Sequence, residues 1–78
     1  MYKERKPTKP EVVEVLANND VRHQEYSLSK QNGVVVLQLH NDRHTGNIVK
    51  ELTEKDFSFE LNQGFEVPPK LIIDKVVD

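Results

Sequence analysis

The chain contains no cysteine, so disulfide staples, thiolate zinc sites and cysteine nucleophiles are excluded from the start. Small secreted domains lean on disulfides, and the lack of them favours a reducing, cytoplasmic setting. Long apolar runs are also missing. The longest, Val34-Val35-Val36-Leu37 and Leu71-Ile72-Ile73, fall far short of a bilayer span, and the N-terminus has no apolar stretch that could act as a secretory signal. No membrane association is expected. The three glycines, Gly33, Gly46 and Gly64, are too scattered to cradle a phosphate. Ser27, Ser29 and Ser58 lack a glycine elbow. Carboxylate pairs such as Glu25 with Asp42, or Asp74 with Asp78, have no evident pocket to shift their pKa values. A chain of 78 residues buries too small a core to enclose a deep substrate cleft, so neither catalysis nor a cofactor is expected.

What remains is enough for one domain. Hydrophobic residues make up 36% of the chain and charged residues 31%. That is polar for a globular protein, yet the apolar residues cluster enough to fold. The net charge of -2 is unevenly spread. Residues 1–10 carry Lys3, Arg5, Lys6 and Lys9 against Glu4, whereas the other 68 residues carry 7 basic and 12 acidic side chains. An acidic body repels phosphate backbones, so nucleic acid is not an expected partner. Residues 1–7 read as a flexible basic arm, and 8–78 as a single small domain with no internal repeat.

Thr8-Lys9-Pro10-Glu11 fits a capping box that opens a short helix, with Val12, Val13 and Leu16 on one stripe and a stop within Asn18-Asn19-Asp20. The valines leave a strand as the alternative there. The strongest signal is a hairpin of Val21 to Lys30 and Val34 to His40 about Asn32-Gly33, a pair suited to the type I′ turn. That register sets Tyr26 against Leu39, Leu28 against Leu37 and Lys30 against Val35 on the core side. A third strand is expected over Asn47 to Leu52, following the polar turn of residues 41–46. Phe57, Phe59 and Leu61 alternate as a strand, although Phe57, Leu61 and Phe65 also fit helical spacing. Pro68-Pro69 is expected to break whatever precedes it. Leu71 to Val77 closes the chain as a short helix or an edge strand. The predicted fold is therefore α+β: a short N-terminal helix with a three- or four-stranded antiparallel sheet built on a β-hairpin or meander.

Two surface features bear on function. The hairpin register extended backwards sets His40 opposite Glu25 and His23 opposite Asp42, with His44 just beyond. Two imidazoles and two carboxylates on one patch offer a zinc or nickel site. Val34, Val36 and Val49 project from the face opposite the core, beside Ser29 and Glu51. They are expected to pack within the chain, in a homodimer, or on a protein partner.

The run Asp42-Arg43-His44-Thr45-Gly46-Asn47-Ile48-Val49-Lys50-Glu51-Leu52, with the preceding Val34 to Leu39, resembles the most recognisable stretch of FlaG-type flagellar proteins. In that family the aspartate, Thr-Gly, paired aliphatics, basic residue and glutamate form the second strand of a hairpin. Two prolines then lead into a packing helix, and here Glu66-Val67-Pro68-Pro69-Lys70 with Asp74 carries a similar pattern further along. The resemblance implies a small, non-enzymatic flagellar accessory or export-associated role. The primary expectation from the residues themselves is a non-catalytic interaction or structural module.

Overall fold

The computed structural model describes residues 3–64 and 67–77. Phe65 of the helical alternative, Glu66 of the FlaG-like pattern and Asp78 of the carboxylate pair lie outside the described residues, as do Met1 and Tyr2. The elements run β1 (Glu4–Arg5), α1 (Lys9–Asn18), a 3-10 turn (His23–Glu25), β2 (Tyr26–Gln31), β3 (Val34–Leu39), α2 (Thr45–Glu54), β4 (Phe57–Gly64) and β5 (Val67–Val77). The fold is α+β, and every strand pair is antiparallel.

The hairpin forms in the expected register, with Tyr26 against Leu39 and Gln31 against Val34. Asn32 and Gly33 sit at φ 54° and 79°, the left-handed pair that a type I′ turn demands. The first strand is shorter than expected, because residues 23–25 turn before it. There the Arg22 N–H donates to the Glu25 carboxylate at 3.0 Å, while Val21 drops into the core.

The largest departure is at residues 47–52, which are not a strand but the middle of α2. Ile48 and Leu52 are four apart, a spacing that suits both a period of two and a helix. Thr45 and Val49 complete the helical stripe at i, i+3, i+4 and i+7. Thr45, Ile48 and Leu52 are buried, and Val49 packs against the core instead of projecting from the far face. The capping box at α1 also takes a different form. The Thr8 hydroxyl donates to the Glu11 carboxylate at 2.7 Å instead of accepting from a first-turn N–H.

The basic arm is tethered where it is described. Glu4 and Arg5 pair with Val77 and Val76, and Pro7 is fully buried. Both terminal guanidinium nitrogens of Arg5 donate to the Glu11 carboxylate at 2.6 Å. Phe57 to Leu61 lies in β4 as the alternation indicates. Leu71 to Val77 is strand, but an interior one: β3 pairs along one edge of β5 and β4 along the other. Pro68 and Pro69 sit inside β5 at an irregularity of the β4 ladder, where a missing N–H is tolerated. The Gln38 side-chain amide takes up their carbonyls, at 3.4 and 3.2 Å.

One face of the sheet carries the rows Leu28–Leu37–Leu71–Leu61 and Lys30–Val35–Ile73–Phe59. Both helices cover that face, and their Val12, Val15, Leu16, Ile48 and Leu52 join the sheet residues in one core. The helices are tied by Asn18 and Asn19, which donate to Glu51 at 2.9 and 3.2 Å.

The structure reveals a repeat that the residues conceal. Both helices are ten residues long and displaced by 36 positions, from 9 to 45 and from 18 to 54. Each is followed by an aspartate in the left-handed region, Asp20 at φ 58° and Asp56 at φ 61°. A buried apolar residue, Val21 or Phe57, and a hairpin come next. Val36 and Ile72, again 36 apart, are partners in the β3–β5 ladder. An approximate two-fold axis therefore passes between them and relates two helix–hairpin units. The first unit is three residues longer between the aspartate and the end of its first long strand (20 to 31 against 56 to 64), the length of its 3-10 turn.

Thr45 is the one buried side chain whose polar atom has no hydrogen-bond partner among the described residues. Thr45→Val removes that desolvated hydroxyl at nearly constant shape. It is expected to raise the unfolding free energy by about 1 kcal/mol in urea titrations followed by circular dichroism. A loss of similar size would mean that the hydroxyl is satisfied.

Candidate functional site

The four residues of the expected metal patch fall into separate arrangements. His40 is held on both ring nitrogens: Nδ1 donates to the Gln24 carbonyl at 2.9 Å, and Nε2 meets the Ser27 hydroxyl at 3.1 Å. Because a carbonyl can only accept, Nδ1 carries the proton and Nε2 receives the serine O–H in the neutral ring. His23 is turned away by the 3-10 helix and meets the Tyr26 hydroxyl through Nδ1 at 3.1 Å. Glu25 accepts from the Arg22 N–H, with His44 Nε2 at 3.7 Å and Arg43 at 3.9 Å. Asp42 is exposed, and its carbonyl accepts from the Thr45 N–H at 3.4 Å. His40 and Glu25 remain neighbours through a backbone bond of 2.9 Å, but Asp42 no longer faces His23. Among the described residues, no group of three or more histidine and carboxylate side chains is arranged to hold a metal ion.

The contact between Ser27 and His40 pairs a hydroxyl with a base. Its orienting partner is a main-chain carbonyl, which stabilises an imidazolium less than a carboxylate does. Both residues are exposed to solvent. A depression of about 580 Å³ lies beside them and is lined by Asp20, Arg22, Gln24, Glu25, Arg43 and His44. It is open, and its charges largely answer one another through the Glu25 contacts to His44 and Arg43.

Three carboxylates are held below their ordinary range. Two guanidinium hydrogen bonds from Arg5 bring Glu11 down to about 2. The Arg22 N–H lowers Glu25, and the Asn18 amide lowers Glu51. A carboxylate depressed on folding adds stability that is complete above its unfolded pKa and is lost as pH falls through the folded one. For Glu11 that window runs from 4.5 down to about 2. Glu11→Gln is expected to lower the urea midpoint near neutrality, and the gap from the parent should close across that window. A gap independent of pH would show that Arg5 and Glu11 are not coupled in solution.

The face of the sheet opposite the helices is the larger surface. Its central row is Ser29–Val36–Ile72–Glu60, and the next is Ser27–Gln38–Lys70–Asn62. Val34 and Gln31 extend it on the other side. Asp74 is the bulged residue of β5 there, sharing a shallow depression with Ile72, Ser58 and Glu60. Val34, Val36 and Ile72 are half-buried among polar neighbours, and no element covers them among the described residues. Val34 and Val36 thus project as the hairpin register indicates, whereas Ile72 joins them through a pairing that only the tertiary structure reveals.

Among the described residues no helix is long and apolar enough to cross a membrane. The stretch resembling a flagellar strand is a loop followed by α2, and residues 57–64 beyond it are strand. Comparison with protein-family models, curated proteins and solved structures finds no match to the chain.

Proposed function

We propose that this chain is a small, non-catalytic protein-interaction module whose working surface is the uncovered face of its sheet. The observation that carries the reading is the one-sided cover. Both helices lie on one face, which leaves Val34, Val36 and Ile72 at the centre of the other. Apolar residues grouped at the middle of a polar-rimmed surface are the usual composition of a contact patch.

The test is affinity co-purification of the tagged chain from its native cells, beside a Val36→Lys variant whose circular dichroism and urea midpoint match the parent. A partner retained by the parent and lost with Val36→Lys is the expected result. Identical sets of captured proteins would overturn the reading. Filament or export components among the proteins lost would carry the flagellar-accessory alternative forward.

A further inference from the structure

Building on that reading of the open face, we infer that its occupant is a second copy of the same chain, docked face to face about a two-fold axis lying across the strands at the Val36–Ile72 row. A closed pair of identical chains buries the same patch on both sides, so the patch must complement itself when reversed. This one does. Along β5 the open face presents Lys70, Ile72 and then, at the bulge, Asp74 followed by Lys75 opposite Ser58. Reversal about Ile72 sets each Lys70 against the partner chain's Asp74, twice, and Ile72 against its own copy. On β3 the same operation sets Val36 against itself and Val34 against Gln38. On β2 it sets Ser29 against itself and Ser27 against Gln31.

β2 and β3 contribute no charge to this face: their six open-face residues are Ser27, Ser29, Gln31, Val34, Val36 and Gln38. The outward helix surfaces, by contrast, carry Lys9, Glu11, Glu14, Lys50 and Glu54. Charge depletion at the centre of a patch is the compositional mark of an interface. Lys75 falls near Lys70 but is already paired with Glu4 at 3.1 Å, which leaves Glu60 as a like-charged facing. Glu60 lies on the outer strand β4 and is exposed, so water and salt screen it. Packed sheets cross at about 30°. With Lys70 and Asp74 each two residues from the axis, that rotation displaces them by only a few ångströms, within reach of a lysine stem. The face is about four strands wide, at roughly 4.8 Å each, and about five residues long, at roughly 3.3 Å each, or roughly 300 Å². This is small beside the roughly 800 Å² a partner of standard interfaces, so the dimer is weak and concentration-dependent.

Sedimentation equilibrium of the full chain from about 10 μM to about 1 mM, a range suited to a small interface, tests this. The parent is expected to show a monomer–dimer equilibrium, and Ile72→Lys to remain monomeric with an unchanged circular dichroism spectrum. Lys70→Asp or Asp74→Lys alone sets like charges opposite each other twice, and each is expected to weaken association about tenfold or more. The double reversal restores opposite charges and is expected to recover most of the loss, which a merely structural role of either residue would not produce. A parent that stays monomeric throughout, or a double reversal no better than the single changes, overturns the homodimer. If the parent is monomeric but Val36→Lys still loses a captured partner, the interaction reading survives and self-association alone fails. If neither effect appears, both fall.

Discussion

Leu52→Ala is expected to lower the unfolding free energy by about 3 kcal/mol, the usual cost of emptying a fully buried leucine site. Leu52 has no solvent exposure and sits on α2 against the sheet. Domains of this size have about 4–12 kcal/mol of stability in all, at roughly 0.05–0.15 kcal/mol per residue, so the loss is about a quarter or more of the total. Leu16→Ala, at the equivalent position of α1 and equally buried, is expected to lose a similar amount. Leu61→Ala supplies the control. Leu61 belongs to the core row of the sheet yet remains 37% exposed beyond the reach of the helices, and its truncation should cost under about 1 kcal/mol. Urea titrations followed by circular dichroism read all three. Equal losses at Leu52 and Leu61 would mean that α2 does not seal the core.

Gly33→Val is expected to cost about 2 kcal/mol, the upper end of the penalty for a side chain in the left-handed region. Gly33 occupies the second turn position at φ 79°, and a Cβ there would lie 3.2 Å from Cδ of Lys6. The lysine stem is flexible and can give way, so backbone strain accounts for most of the effect, and β-branching adds to it. Asn32→Gly at the neighbouring turn position should change stability by only a few tenths of a kcal/mol, since glycine adopts φ 54° freely. A neutral Gly33→Val would show that the hairpin reaches its register through another turn. The urea midpoint again decides, with cross-strand amide contacts between Leu28 and Leu37 reporting the register.

The hairpin was legible because its signal is local: a turn dipeptide fixes the register, and the register fixes which side chains meet. The start and stop of α1 were legible for the same reason, since Pro10 and Asn18-Asn19-Asp20 punctuate the chain. α2 was not. Ile48 and Leu52 satisfy two periodicities at once, and only Thr45, a polar residue on an apolar stripe, separates them. The interior position of β5 could not be read from Leu71 to Val77 either. Whether a strand is edge or centre depends on partners more than 30 residues away, and on a Pro68-Pro69 pair that is tolerated through a ladder irregularity and the Gln38 amide. The patch of His23, His40, Glu25 and Asp42 rested on continuing the hairpin register through residues 23–25. One 3-10 turn, held by the Glu25 carboxylate, redirected two of the four. Val36 and its setting followed from alternation, but Ile72 beside it did not.

The approximate two-fold axis also has a kinetic meaning. Within each helix–hairpin unit, contacts join residues close along the chain, so their loop-closure cost is small and they can form early. The β3–β5 seam is different: its partners, such as Val36 and Ile72, lie 36 residues apart and meet only when the two units dock. The barrier to folding should therefore sit at that docking step. Valine-to-alanine and isoleucine-to-valine changes along the seam should slow refolding in stopped-flow traces, whereas Leu28→Ala on the outer strand should mainly speed unfolding.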